Sequence, residues 1–178
     1  MSVFLEFSKL THEQKQYLLD NFYMSNPTQD ILEDTVKKYL FFKRNNMIFS
    51  VKAPIPGFES IKEAELEKVD DFFVKFISKS DATTFVLINP FMIRPYEFEI
   101  PEYFRALLDI NEKTTNILIL NIMIVATPIE TSTINFIAPL VFNVDNGTVA
   151  QVVLDANQYP DFGLMESISQ FLNKEKSE

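Results

Sequence analysis

The feature that most constrains this chain is the stretch Thr133 to Leu154, TINFIAPLVFNVDNGTVAQVVL, in which two apolar, β-branched runs flank Asp145-Asn146-Gly147. A two-residue turn of the tight hairpin type needs positive φ at both central positions, and Asn-Gly tolerates that best. The stretch therefore predicts strand, tight turn, strand. Along the first strand Ile134, Phe136, Ala138, Leu140 and Phe142 fall on one face; Asn135, Ile137, Val141 and Asn143 fall on the other. Apolar residues on both faces leave two arrangements open. Either the sheet is covered on both sides, or one face sits on the core and the other is offered to a partner.

The flanking sequence extends this into a mainly β fold. From Met47, alternation predicts a strand that Pro54 stops, then strands over Ala64 to Val69 and Phe72 to Ser78 around Asp70-Asp71, then Phe85 to Asn89 and Tyr96 to Ile100. Pro101 opens a short helix that turns Phe104, Leu107 and Leu108 inward, and Asn116 to Thr127 forms a long central strand. Gly163 to Lys174 reads as a final amphipathic helix, with Leu164, Ile168, Phe171 and Leu172 on one side. Short strands, close turn signals and one small helix predict a small antiparallel β-barrel with short helices. A 178-residue chain is long enough to bury such a core without disulfide staples.

Residues 1–46 follow a different period and predict a helical hairpin preceding the barrel. Thr11 and Gln14 are spaced as a capping box, and Asn26-Pro27 restarts a helix carrying Leu32, Val36, Tyr39 and Leu40 on one stripe. That helix opens with acids and closes with Lys37, Lys38, Lys43 and Arg44, the order the helix dipole favours. Two short helices also admit a DNA-binding regulator reading. Bases at the C-terminal end are what dipole compensation produces anyway, whereas recognition helices contact bases through their N-terminal residues. The division is thus 1–46, a helical extension, and 47–178, a barrel domain.

Composition narrows the chemistry. With no cysteine there is no thiolate metal site, disulfide or cysteine nucleophile; His12, the one histidine, falls at the start of a predicted helix far along the chain from any other candidate, so neither a Ser-His-Asp nor a multi-histidine site is recognisable within one subunit. Gly57, Gly147 and Gly163 stand apart, which excludes a glycine-rich phosphate loop. Glu97 and Glu99 share one face of a predicted strand, but surface acids at that spacing are ordinarily solvated, and catalysis, metal and cofactor are not expected. The N-terminus lacks the features of a signal peptide and no apolar run reaches membrane-spanning length, so a cytoplasmic protein without membrane contact is expected. Acids and bases balance at six each up to Asn46; from Met47 nineteen acids face ten bases, a field that repels nucleic acid and steers basic partners.

Four motifs then carry a resemblance: Pro56-Gly57-Phe58-Glu59, VLINPFMIRPYEFEIPEYF from Val86 to Phe104, STINFIAPLVFN from Ser132 to Asn143, and QVVLDANQYPDF from Gln151 to Phe162. In this order, over residues 47–178, the chain resembles the short forms of the FliW family of flagellar assembly factors; residues 1–46 have no counterpart in that pattern. The resemblance implies a non-enzymatic β-barrel that binds newly made flagellin near its helical ends and, when free, binds and antagonises CsrA, an RNA-binding repressor of translation. Its motifs at Asn89-Pro90-Phe91 and Thr133 to Asn143 place a flagellin surface at Asn89, Phe91, Asn135, Ile137, Pro139 and Asn143; the acidic excess after Met47 suits a basic partner such as CsrA, with contacts expected at Glu97, Glu99 and Glu130. Two other classes stand beside it. A small-ligand-binding barrel would need an interior cavity, which the many phenylalanines oppose; a DNA-binding regulator would act through residues 1–46.

Overall fold

Strands β2 (Glu63–Lys68), β3 (Phe73–Ser78) and β4 (Thr84–Ile88) form an antiparallel meander in which Ala64 lies opposite Ser78 and Phe76 opposite Phe85. The alternation in β2 is simple: Ala64 and Leu66 are buried while Glu63 and Glu67 face solvent. A computed structural model describes residues 47–69 and 73–172. The expected N-terminal hairpin, with Thr11, Gln14 and Asn26-Pro27, and the Asp70-Asp71 turn lie outside the described residues.

β1 (Ile48–Val51) pairs with β2, and β5 (Ile117–Ile124) pairs with β4. The N-terminal half of β5 also pairs with β7 (Leu140–Asn143), which forms the expected hairpin with β8 (Thr148–Gln151). β8 then runs parallel to β1, with Ser50 opposite Thr148, and closes the ring β1-β2-β3-β4-β5-β7-β8. The fold is a mixed barrel rather than the wholly antiparallel one expected. The C-terminal half of β5 continues into β6 (Thr133–Ile134) and β9 (Glu166–Ser167), which extend the sheet past the ring.

Phenylalanines fill the ring. Phe49, Phe76, Phe85 and Phe142 are fully buried, with Phe49 edge-on to Phe142 at 5.0 Å and Phe76 tilted against Phe85 at 5.6 Å. Burial of each such ring contributes up to about 3 kcal/mol. These rings occupy the space a carried ligand would need, which removes the main support for a ligand-binding barrel.

Three local expectations change. The stretch read as one strand from Thr133 is interrupted at residues 135–139. There the Asn135 Oδ1 accepts the Ala138 N–H at 3.1 Å, Pro139 has no N–H to give, and Gly163 O accepts the N–H groups of Phe136 and Ile137. The turn is a four-residue loop, because Asn143 pairs with Thr148 and Gly147 N–H returns to Asn143 O at 3.0 Å. Gly147 takes φ +69° while Asn146 keeps negative φ. The predicted strand Tyr96 to Ile100 keeps alternating burial, but it has no ladder partner among the described residues; the Glu99 N–H donates to the Tyr159 hydroxyl at 2.9 Å instead.

The short helix α1 (Glu102–Leu107) forms after Pro101 as expected and ends at Leu108, which is fully buried. Three 3-10 turns complete the described elements: η1 (Pro90–Met92), η2 (Ile129–Thr131) and η3 (Ile168–Gln170). Within 163–172 no α-helix forms; β9 pairs with β6 and η3 follows it. Sheet pairing outweighs the helical spacing there.

Candidate partner-docking surface

The outer face of the β5-β7-β8 ribbon is largely covered. Val141, Ala150, Val152, Leu154 and Leu108 make a second core beneath α1, and Phe104, Leu107 and Ile137 pack against it. Of the two arrangements left open by the sequence, coverage on both sides prevails over most of the ribbon. Ile137 keeps partial exposure at its end.

Asn135 is held in a polar cluster. Asn121 Nδ2 donates to Asn135 O at 2.8 Å and to the Tyr96 hydroxyl at 3.1 Å, and that hydroxyl donates to Phe136 O. Asn121 Oδ1 is buried without a hydrogen-bond partner among the described residues. Burial pushes the Tyr96 phenol above its ordinary pKa, outweighing the Asn121 hydrogen bond and the Arg94 charge that pull it down. Tyr96 therefore stays a neutral donor.

The residues named for flagellin divide into two kinds. Phe91, Asn135 and Ile137 are partly exposed; Asn89, Pro139 and Asn143 are buried. Asn89 caps η1, its Oδ1 accepting the Phe91 N–H at 3.2 Å. Asn143 donates to the carbonyls of Leu108 and Asp109. Along β5, Asn143 pairs at Ile117 whereas Asn135 bonds at Ile122, so the two stand about 17 Å apart. Phe91 joins the Asn135 side through Tyr96, whose ring it meets edge-on at 6.0 Å. The six do not form one patch.

Glu97 and Glu99 are exposed on the extended segment before α1, and Glu130 is half-buried in η2, where its carbonyl accepts the Ser167 hydroxyl. From Arg94 to Leu172 there are ten acids and three bases, and no Lys or Arg follows Lys113 in that span. One of the three bases is spent internally. The Arg94 guanidinium lies over the rings of Phe136, Phe162 and Phe171 at 5.1, 5.3 and 5.7 Å and pairs with Glu166 at 3.4 Å. Glu166 Oε2 also accepts the Gly163 N–H at 3.0 Å, and a Cβ on Gly163 would meet the Glu166 side chain at 2.6 Å. This clamp fixes residues 161–171 beside Phe136.

Clamping that segment presents an apolar pair: Leu164, expected on the inner stripe of a helix, and its neighbour Met165. Leu164 is 62% exposed and Met165 63%, directly after the Gly163 carbonyl that binds Phe136 and Ile137. No helix among the described residues is long and apolar enough to cross a membrane, and no cluster of three or more His, Cys, Asp or Glu side chains suited to a metal ion occurs among them.

Comparison with known proteins bears on what such a surface is for. Residues 38–161 match the family described as FliW protein. The chain is 51% identical over 132 residues to flagellar assembly factor FliW 2 of Wolinella succinogenes, covering 74% of this chain and 96% of that relative. It is 50% identical over 129 residues to flagellar assembly factor FliW of Sulfurimonas denitrificans, covering 72% of this chain and all of the relative. A crystal structure of the flagellar assembly factor FliW superposes with a TM-score of 0.63 at 29% identity, over 71% of this chain and 87% of that one. The matched span begins upstream of Met47 and ends before the C-terminus, and so differs at both ends from the 47–178 expected. With a matching span of this extent and relatives matched over nearly their whole length, the chain belongs to the FliW family.

Proposed function

We propose that this protein is a cytoplasmic flagellar assembly factor that binds flagellin and, when free of it, binds and antagonises CsrA, so that flagellin synthesis follows flagellin export. The family is one of non-enzymatic assembly factors, and its match over residues 38–161 is the observation that carries the reading. Residues 1–46 act as an extension and 47–178 as the docking domain.

For flagellin, the accessible members of the named set are Phe91, Asn135 and Ile137, and Leu164 and Met165 add the most exposed apolar area beside them. Asn89 and Pro139 shape the backbone under this surface, whereas Asn143 stands apart from it and holds the end of α1. An amphipathic helix laid across a small apolar patch is the partner such a surface suits. For CsrA, Glu97, Glu99 and Glu130 belong to the acid-rich half of the sequence, where a basic protein is steered and nucleic acid is repelled. Direct nucleic-acid and membrane binding have no part in the scheme.

Mixing the full-length protein with purified flagellin and CsrA, then resolving the species by size-exclusion chromatography, tests it. A one-to-one complex with flagellin, and displacement of CsrA as flagellin is added, is expected. Failure to bind flagellin, or a ternary complex without competition, overturns the scheme.

A further inference from the structure

The β7–β8 loop carries a reactive pair that partner docking does not use. In an Asn-Gly sequence, glycine lacks the Cβ that would hinder its nitrogen from approaching the preceding side chain, and asparagine is among the thermolabile residues. In such a pair the glycine nitrogen, here that of Gly147, can attack Cγ of the preceding asparagine, here Asn146. A new C–N bond closes a five-membered succinimide, the bond from Cγ to Nδ2 breaks, and the amide leaves as ammonia with the proton from the Gly147 nitrogen. Water then opens the ring at either carbonyl, leaving aspartate or isoaspartate, with no oxidant or reductant required.

Here both reacting groups are held. The Gly147 N–H donates to Asn143 O at 3.0 Å. Asn146 Nδ2 donates to Leu108 O at 3.0 Å, and Asn146 Oδ1 accepts the Thr148 hydroxyl at 2.6 Å. Leu108 closes α1, and its carbonyl also receives Asn143 Nδ2 at 3.0 Å. Asn146 is itself exposed, so water reaches it once these bonds open.

We propose that Asn146-Gly147 is a deamidation site latched by the docked end of α1, and that its conversion loosens that end from the β7–β8 loop, with the Asn143 bonds to Leu108 O and Asp109 O left to hold it. The product carboxylate has no N–H for Leu108 O and faces it as a second acceptor. Isoaspartate also lengthens the backbone of a loop whose register is set by the Asn143–Thr148 pair. Loosening at Leu108 weakens the cover over Val141, Ala150 and Val152, the apolar floor under α1.

The test follows the peptide containing residues 146–147 by mass spectrometry and isoaspartyl methyltransferase labelling, in the full-length protein held at mildly alkaline pH with and without urea. Label is expected to accumulate rapidly in urea and slowly in the folded protein. Thr148→Val, which removes one latch bond, raises the folded rate roughly fivefold or more. Asn146→Gln, too long for a five-membered ring, stays unlabelled. In Asn146→Asp, hydrogen exchange over residues 104–110 loses protection. Equal rates in the folded and unfolded protein, no acceleration in Thr148→Val, or full protection in Asn146→Asp overturns the proposal. Circular dichroism checks that Thr148→Val folds; if it does not, the urea comparison and the Asn146→Asp exchange decide.

Discussion

The Asn143 side chain donates to the Leu108 carbonyl at 3.0 Å and accepts the Asp145 N–H at 3.1 Å, so one buried amide ties the end of α1 to the β7–β8 loop. Asp145 carries the tie onward. Its carboxylate accepts the Thr115 N–H at 2.7 Å and Asn116 Nδ2 at 2.7 Å, which anchors the approach to β5. Helix end, loop and central strand thereby share one set of polar contacts, and the barrel's outer layer depends on them.

Asn143→Ala is expected to cost about 2 kcal/mol, because it strips a buried residue of its bonds to Asp109 O and the Asp145 N–H while Asn146 Nδ2 remains a donor for Leu108 O. Urea unfolding followed by circular dichroism should show a lower midpoint at unchanged slope. Flagellin affinity, measured where the variant is folded, should be nearly unaltered. A loss of affinity at unchanged stability would make Asn143 a contact instead.

Leu164→Asp and Met165→Asp test the apolar pair. Both side chains are more than half exposed, so stability should move by no more than about 0.5 kcal/mol. Flagellin affinity should fall about tenfold or more, since a charge is placed in the apolar centre of the proposed contact. Isothermal titration calorimetry reads the affinity and urea unfolding the stability, which separates the two effects. Wild-type affinity in both variants would move the surface elsewhere.

How much of this was legible in the residues depends on where each residue finds its partner. In β2 the alternation of Glu63, Ala64, Glu65, Leu66 and Glu67 reports its own two faces, and the strand forms where alternation places it. Tyr96, Phe98 and Ile100 alternate as clearly, yet the segment pairs with no strand among the described residues, and ladder pairing is not a local property. The spacing of Ile168, Phe171 and Leu172 imitates a helix. Here pairing of Glu166 with Ile134 and the Arg94 clamp, both distant in sequence, decide the backbone. Closure through the parallel β1–β8 pair is equally invisible locally. Among the residues expected to meet flagellin, Asn89 and Asn143 read as exposed amides by type, whereas backbone groups brought in by the fold consume them.

Acid should loosen the β3–β4 turn. Asp81 Oδ2 accepts the Ser60 hydroxyl at 2.7 Å and Asp81 Oδ1 accepts the Thr83 N–H at 2.9 Å; with the Ser60 bond the larger cause, the carboxyl is lowered to about 2. A folded-state value below the unfolded one, near 3.8, means the stabilisation is present above pH 4 or so and is lost as pH falls toward about 2. Wild-type urea midpoints should therefore decline through that window. Asp81→Asn should start lower at neutral pH and decline less. Parallel curves for the two proteins would assign the acid sensitivity to other carboxylates.

Arg94→Lys isolates the clamp on the C-terminal segment. Lysine keeps the charge near Glu166 but gives up the planar guanidinium that lies over Phe136, Phe162 and Phe171. A cation over aromatic faces contributes about 1–2 kcal/mol when partly desolvated, so opening of residues 161–171 should become about five- to thirtyfold more frequent. Chymotrypsin reads this directly, because Phe162, Leu164 and Phe171 are cleavable once the segment lifts and opening precedes cutting. Cleavage there should accelerate by that factor while cleavage within β2 to β4 stays at the wild-type rate. Because Leu164 and Met165 ride on the same segment, flagellin affinity should weaken in step. Faster cleavage with unchanged affinity would show that the apolar pair binds without being held in place.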